Sequence, residues 1–292
     1  MNQTSEKTPV PKRRKRFCEY GPLCYRISLL KEYLVRDVKD CLSGERFACT
    51  YSKEELPCIV KGHRSLMLRP LHGVDDRLQR NKITNLALAA RHMDGLLIRP
   101  GETFSFWRLV GRVSSKRGYL TGMTIVNGKS ESDTGGGLCQ LANLVHWLVL
   151  NSPLTVTELH HHTDALFPDS GRRVPFGTGT SVFYKNVDYR FRNDTDRTVQ
   201  LRVWQDKDDL CGELRSARPF PTRYRIEEEG CCFVREGEDY YRVSRVYKRT
   251  IDRKTGGTLN RELILNNHSR VLYDHSLIPG AEIRGREEAY VD

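Results

Sequence analysis

Residues 135–149 read Gly-Gly-Gly-Leu-Cys-Gln-Leu-Ala-Asn-Leu-Val-His-Trp-Leu-Val, and this stretch decides how the middle of the chain folds. After three glycines, which interrupt regular structure, apolar residues recur at intervals of three and four. They are Leu138, Leu141, Ala142, Val145, Leu148 and Val149. The pattern predicts a buried helix over residues 138–151 with a glycine-rich entrance.

Two more helices are predicted upstream of this segment. Between Lys82 and Leu97 apolar residues again recur at three and four, and Pro100-Gly101 marks the stop. Residues 23–40 carry Leu, Ile and Val near helical spacing, which is typical of an amphipathic helix.

Short runs rich in β-branched and aromatic residues predict the strands. The predicted strands are 103–110, 123–126, 154–159, 181–191, 198–204, 222–227, 240–250 and 259–265. Asn127-Gly128 and Lys254–Gly257 read as hairpin turns. Helices followed by strands indicate an α+β fold, with N-terminal helices, a central helix carrying the GGGLCQ motif, and a mainly antiparallel β C-terminal half.

Composition excludes several classes of protein. The 292 residues include 38% hydrophobic residues, enough for a packed core and too many for a chain disordered throughout. The longest apolar stretch, 144–150, is far shorter than the roughly 20 residues of a membrane-spanning helix. No apolar segment of a secretory signal follows the N-terminal basic residues, and the nine cysteines are an odd number. We therefore expect a cytoplasmic protein with free thiols.

Nearly half of the net charge of +11 lies in residues 1–16, which hold six Lys or Arg and one acidic residue, a net of +5 from 6 − 1. Lys12–Arg16 is a run of five basic residues, which suits peripheral contact with an anionic membrane surface or, alternatively, a solvated tail. No aromatic-interleaved RNA motif or paired-cysteine zinc finger accompanies the run, so we do not predict a nucleic-acid partner.

Cys139 is the strongest candidate for chemistry because it falls in the first turn of the predicted helix. Free backbone N–H groups and the positive helix end favour a thiolate there. The amides of Gly136, Gly137 and Leu138 could hold an oxyanion. The alternative is an inert, buried cysteine that packs as a small hydrophobe.

A cysteine nucleophile needs a base, and His160-His161-His162 follows 23 residues after Cys139, from 162 − 139. In a strand His160 and His162 share one face. Asp164, Glu158 and Asp188 are candidates to orient the base. The triplet has no partner at metal-ligand spacing, so no metal is predicted.

Four ordered motifs strongly resemble the VanW family. They are residues 100–110, Asn127-Gly128-Lys129, Gly135–Gln140 and Arg192–Asp196, and the resemblance covers about residues 75–215. It implies a bacterial protein linked to the cell wall and to vancomycin resistance, with a peptidoglycan stem peptide or precursor as partner. It also implies L,D-transpeptidase-like acyl transfer through the motif cysteine, Cys139.

Further roles follow from the same resemblance. The family's H-x-H-[ST] motif matches His160, His162 and Thr163, which makes His162 the preferred base. Asp188 is the first residue of the aromatic strand that precedes the Arg-Asn motif. Candidate substrate contacts are Glu102, Trp107, Arg108 and Gln140. The alternative for Trp107 is that it is, with Phe104 and Phe106, a core residue of a strand. No cofactor is required. The alternative function is a non-enzymatic accessory protein that binds a precursor peptide or a protein partner; a sensing role for Cys231-Cys232 is a further alternative.

The expected organisation has four parts. A basic tail covers residues 1–16, a helical and irregular region covers 17–74, the VanW domain covers 75–216, and a β-rich extension covers 217–292.

Overall fold

The computed structural model describes residues 15–68, 75–126, 129–161, 164–166, 168 and 173–285, with only the backbone of 125, 126, 129 and 130. The chain forms two compact units, which divide between Gly44 and Glu45. None of the helices in these described ranges is long and apolar enough to cross a membrane.

The first unit contains helix α1 (Pro22–Leu42), preceded by a 3₁₀ turn at Phe17–Tyr20. No residue of α1 is buried. The second unit contains the other helices, α2 (Asp76–Ala90), α3 (Phe106–Val110) and α4 (Cys139–Leu150).

The second unit also contains the strands. They are β1 (Arg46–Phe47), β2 (Thr50–Tyr51), β3 (Cys58–Leu66), β4 (Leu96–Ile98), β5 (Glu102–Ser105), β6 (Thr121–Val126), β7 (Lys129–Thr134), β8 (Thr155–Glu158), β9 (Asp164–Ala165), β10 (Arg190–Arg192), β11 (Val199–Asp206), β12 (Asp209–Ser216), β13 (Thr222–Glu236), β14 (Asp239–Asp252), β15 (Thr258–Val271) and β16 (Ile283–Arg284).

These strands form three larger sheets and one hairpin. The first sheet has the order β1-β5-β10-β8, the second β2-β4-β11-β12-β3, and the third β16-β13-β14-β15-β9, while β6 pairs with β7. Most neighbours are antiparallel; β1–β5, β13–β16 and β15–β9 are parallel. The predicted α+β class is confirmed.

The main core lies between α2, α4 and the first two sheets. Leu86 and Ala89 of α2 and Leu141 and Val145 of α4 are fully buried, together with Phe104 of β5. Separate small clusters lie under the third sheet, around Phe233 and around Val234. The elements that carry the VanW motifs therefore pack against one another in the main core.

Helix α4 starts at Cys139, as the sequence predicts, and β8 matches the predicted strand. Helix α2, however, begins and ends earlier than residues 82–97. The Asp75 side chain caps its start by accepting the Arg77 N–H at 2.8 Å. Gly95, at φ 79°, turns the chain, so that the apolar residues of β4 pair with β11 instead of extending the helix.

Two strand predictions were wrong in part. Residues 103–110 divide into β5 and α3, because the Ser105 side chain accepts the Arg108 N–H at 3.3 Å and starts a helical turn. Residues 181–191 contain only an isolated bridge, Phe183–Val187, before β10. The region 17–74 contributes β3, which pairs with β12 along its length and which the sequence reading missed. The predicted turn at Asn127-Gly128 lies outside the described residues.

Candidate functional site

The glycine triplet is shaped by close packing on its neighbours. A Cβ on Gly136 would lie 2.2 Å from the Gly122 carbonyl carbon, and one on Gly137 would lie 2.1 Å from Cγ of Lys82. Gly135 and Gly137 also have positive φ angles, 80° and 98°, which favour glycine. The three glycines are therefore required by the turn and by the backbone of β6.

The amides predicted for an oxyanion hole are partly committed to this turn. The Gly136 N–H donates to the Asp133 carbonyl at 3.2 Å, and the Gly136 carbonyl accepts from the Asn85 amide at 3.0 Å. Gly137 and Leu138 supply carbonyls to the first turn of α4, where they accept from Gln140 and Leu141 at 3.0 Å.

The thiol of Cys139 points into the protein. Its Sγ lies 3.9 Å from the Val182 carbonyl oxygen, to which it donates a weak hydrogen bond. Burial raises the pKa of the Cys139 thiol above its ordinary value, and the neighbouring backbone only partly opposes this. The sequence favours a thiolate at the positive end of a helix. In the structure desolvation is the stronger influence.

Residues 177–188, which we call the strap, cover this part of α4. The Thr180 N–H donates to Oδ1 of Asn143 at 2.7 Å, and a Cβ on Gly179 would lie 3.1 Å from the same oxygen. The Val187 carbonyl accepts from the Trp107 indole at 2.9 Å. The strap therefore contacts both the cysteine segment and the Trp107 segment.

The histidines that are described lie beside the strap, and their rings contact Glu158 and Gly177. The His160 carbonyl accepts the Ser181 N–H at 2.7 Å, but its ring lies 3.1 Å from Oε1 of Glu158 and is exposed. His161 Nδ1 lies 3.2 Å from the Gly177 carbonyl. His162, the preferred base, lies outside the described residues, so its role stays a prediction.

Asp188 is buried, at 2% exposure, in a network that holds α3 to β10. One carboxylate oxygen accepts from Ser105 Oγ at 2.5 Å and Arg190 Nε at 2.8 Å; the other accepts the Trp107 and Tyr189 N–H groups at 3.0 and 2.9 Å. These contacts do not include a histidine. Of the carboxylates proposed to orient a base, Glu158 is the one beside His160, while Asp164 lies in β9.

A pair of arginines stacks on one ring next to this network. The guanidinium carbons of Arg108 and Arg190 lie 4.1 and 5.2 Å from the centre of the Phe47 ring. Arg190 is buried and pairs with Asp188, whereas Arg108 is exposed. The arrangement places a cationic group at the surface above a partly buried aromatic ring.

The other predicted substrate contacts, like Arg108, have structural partners. Glu102 Oε2 accepts the Arg99 N–H at 2.8 Å within a turn. Gln140 Nε2 donates to Ser65 Oγ at 2.9 Å and to the Leu66 carbonyl at 2.8 Å, which joins α4 to β3. Trp107 is buried. Arg108 is thus the exposed member of this predicted set.

His146 is a buried polar residue that the sequence reading did not single out. Its ring is 1% exposed and its Nδ1 lies 3.1 Å from the Tyr189 hydroxyl. Burial, with smaller contributions from His161 and Lys248, lowers the pKa of His146 to about 3. Its position on the buried face of α4 was the available sequence signal.

Within the described ranges no group of three His, Cys, Asp or Glu side chains is placed to hold a metal.

Comparison with known proteins agrees with the motifs. A family of VanW-like proteins matches residues 81–215, from α2 to β12. The Vancomycin B-type resistance protein VanW of Enterococcus faecalis is 33% identical over 227 residues, covering 78% of this chain and 82% of that protein. The chain belongs to the VanW family.

A second relative shows that the similarity extends to other bacteria. The uncharacterized protein YoaR of Bacillus subtilis is 28% identical over 141 residues, which cover 48% of this chain and 45% of YoaR. No solved structure matches the chain. Cys139, Arg108 and Asp188 all lie within the span that defines the VanW family.

Proposed function

We propose that this VanW-family protein acts in cell-wall peptidoglycan metabolism linked to vancomycin resistance, as an accessory protein that binds a precursor stem peptide. The link to vancomycin comes from the name of the Enterococcus faecalis relative, with which most of the chain aligns. The precursor peptide is the partner that the family resemblance implies.

The surroundings of Cys139 are the observation that carries a binding role in preference to acyl transfer. A nucleophilic thiol needs a lowered pKa and a base within hydrogen-bond reach. Here burial raises the pKa of the thiol, and the partner of Sγ is the carbonyl of Val182. This environment supports an idle, structural cysteine.

Arg108 is the residue we propose for recognition. A stem peptide ends in a carboxylate, and a guanidinium can bind a carboxylate through two parallel hydrogen bonds. Stacking on Phe47 at 4.1 Å restricts the guanidinium, which reduces the entropy lost on binding. Exposure at the surface allows the peptide to reach it.

Acyl transfer through Cys139 is the second candidate, supported by the place of the cysteine at the start of α4. In that reaction the thiolate attacks the carbonyl of the donor residue, D-Ala leaves, and a thioester forms. An amine of a second stem peptide then breaks the thioester and loses a proton to His162. Val182 of the strap would have to move away from Cys139 for the sulfur to reach a peptide.

Two substitutions separate these functions. For a binding protein, Arg108→Ala weakens binding of a synthetic stem pentapeptide at least tenfold in calorimetry and abolishes any effect on vancomycin susceptibility. Cys139→Ala changes neither measurement and leaves the muropeptide profile intact. Arg112→Ala, at another exposed arginine nearby, is the matched control and should bind as the parent does.

The opposite pattern would overturn the binding proposal. If Cys139→Ala removes 3–3 cross-links while Arg108→Ala keeps them, acyl transfer is the function.

We also propose a cytoplasmic location, where the protein meets precursors before they are cross-linked. Cell fractionation tests the location separately.

A further inference from the structure

Two basic side chains of β3 lie on the side of that strand which faces α4. Lys61 and His63 alternate with Gly62 and Arg64, so both point to the same side. Trp147 of α4 identifies this side, because the centre of its ring lies 5.5 Å from Nζ of Lys61 and 5.9 Å from the centre of the His63 ring. We call Lys61, His63 and Trp147 the Lys61 cluster.

The packing around the Lys61 cluster agrees with this orientation and leaves the cluster accessible. His63 pairs with Gly212 of β12, and a Cβ on Gly212 would lie 3.1 Å from the side chains of Leu144 and Leu148 in α4. Within the described residues β3 is the last strand of the second sheet. The cluster therefore lies at the border of the sheet, where Lys61 and His63 are half-buried and a small ligand can reach them.

Neither basic side chain has a polar partner in the part of the chain that the structure describes. No carboxylate or carbonyl there contacts Nζ of Lys61 or the ring nitrogens of His63. Burial lowers the pKa of Lys61. Burial, together with Lys61 and Arg173, lowers the pKa of His63, and Asp209 opposes this shift without cancelling it. Both groups therefore hold a proton less readily than usual, and a bound anion would reverse this.

The arginines beside the cluster are already balanced by carboxylates. Arg64 pairs with Asp206 and Asp209, and Arg173 lies 3.4 Å from Asp209. Two positive and two negative charges cancel in this group. The charge left over is that of Lys61 alone while His63 is neutral, and that of both side chains when His63 is protonated.

We propose that the Lys61 cluster binds the phosphate group of a small ligand. A phosphate monoester carries a charge of about −1.5 to −2 at neutral pH, which Lys61 and a protonated His63 match together. Lysine binds phosphate as a compact charge, whereas carboxylates are recognised best by the planar fork of arginine. The phosphate oxygens accept from Lys61 and His63, His63 takes up one proton on binding, and Trp147 forms an apolar wall. Arg108 is not part of this site, so the inference is independent of stem-peptide binding.

A structural role for Lys61 is the alternative reading of the same contact. A lysine can lie along an aromatic ring so that its methylene stem covers apolar surface while its charge stays in water. Lys61→Met separates the two roles, because it keeps an unbranched stem beside Trp147 and removes the charge.

Calorimetric titration of the full-length protein with inorganic phosphate, at pH 7 and low salt, tests the proposal. We expect saturable binding by the parent and binding that is about tenfold weaker in Lys61→Met, because a hydrogen bond to a charged group is lost. Lys254→Met is the matched control, since Lys254 is an exposed lysine between β14 and β15, and should bind as the parent does. Acetate should bind the parent about tenfold more weakly than phosphate.

A second measurement needs no variant. Sulfate remains a dianion over the range in which histidine titrates, so NMR titration of the parent with and without sulfate isolates the protonation of His63. We expect sulfate to raise the pKa of His63, because a neighbouring anion favours the imidazolium form. The resonances of His268, which lies on β15 beside Glu236, should not respond to sulfate.

Four results would overturn the proposal. They are the absence of saturable phosphate binding by the parent, equal binding by the parent and a folded Lys61→Met, equal binding of acetate and phosphate, and a titration of His63 that sulfate leaves unchanged. Equal urea midpoints of the parent and Lys61→Met establish that the variant is folded.

Discussion

The surroundings of Asp188 and of Cys139 differ although both residues belong to the motifs that suggest chemistry. Asp188 is a buried charge whose two oxygens accept from four donors. Cys139 is a neutral thiol enclosed by the strap, with one weak bond to a carbonyl. A buried charge is held by many partners, whereas a thiol can be buried with few. The fold therefore depends far more on Asp188 than on Cys139.

Asp188→Ala should have the largest effect on stability. It leaves Arg190 buried without its nearest carboxylate and removes the acceptor of the Ser105 hydroxyl and the Trp107 N–H. Breaking a buried ion pair by removing one partner costs about 3–5 kcal/mol. Urea denaturation followed by tryptophan fluorescence measures this loss.

The control for Asp188 is an exposed ion pair. Asp194→Ala removes the partner of Arg192, whose side chain is 45% exposed, and should cost less than about 1 kcal/mol. Equal losses in the two variants would mean that the Asp188 network does not hold α3 to β10.

The sequence could predict the helix of Cys139 because apolar residues recur there at intervals of three and four and the glycine triplet marks where the helix begins. It could not predict the role of Asp188, since the four donors come from residues up to 83 positions away. The short helix α3 was missed for a similar reason: the apolar and aromatic residues of 103–110 fit a strand, and the Ser105 cap changes the outcome. The sequence also pointed to Arg108, but its stacking on Phe47 depends on the parallel pairing of β1 with β5.

A second test varies the pH and uses His146. This residue lies between the surroundings of Cys139 and those of Asp188, because it belongs to α4 and contacts Tyr189. Its pKa is about 3 in the fold, compared with 6.5 ordinarily. Below pH 6.5 the unfolded chain therefore binds a proton that the folded chain does not. The free energy of unfolding should fall by about 1.4 kcal/mol per pH unit from this residue as pH drops from about 6 to 4.

Comparing variants isolates this contribution from other titrating groups. The difference in unfolding free energy between pH 6 and pH 4 should be about 3 kcal/mol smaller in His146→Leu than in the parent. An unaltered acid slope in His146→Leu would show that His146 is protonated in the fold at pH 4.

Gly136→Ala tests whether the glycine triplet is a packed turn. The new Cβ would meet the Gly122 carbonyl group at 2.2 to 2.3 Å, so backbone must move, and overpacking of this kind costs about 1–3 kcal/mol. Gly280→Ala is the matched control, because nothing lies within 4 Å of its Cβ, and should change stability by less than about 0.5 kcal/mol. Equal urea midpoints for both variants would mean that the turn can open, as an oxyanion site would require.

The smallest effect should come from Cys139 itself. Cys139→Ala removes one sulfur and a weak bond to Val182, so we expect a loss of about 1 kcal/mol, well below that of Asp188→Ala. In the native parent, iodoacetamide at pH 8 should label the exposed Cys41 and Cys49 first and Cys139 later, because burial shields its sulfur and raises its pKa. Mass spectrometry of the digested protein measures the order, and unfolding in urea should equalise the rates. Labelling of Cys139 ahead of the exposed thiols near pH 6.5 would instead identify an activated thiolate, and the contrast with Asp188 would then separate a catalytic residue from a structural one.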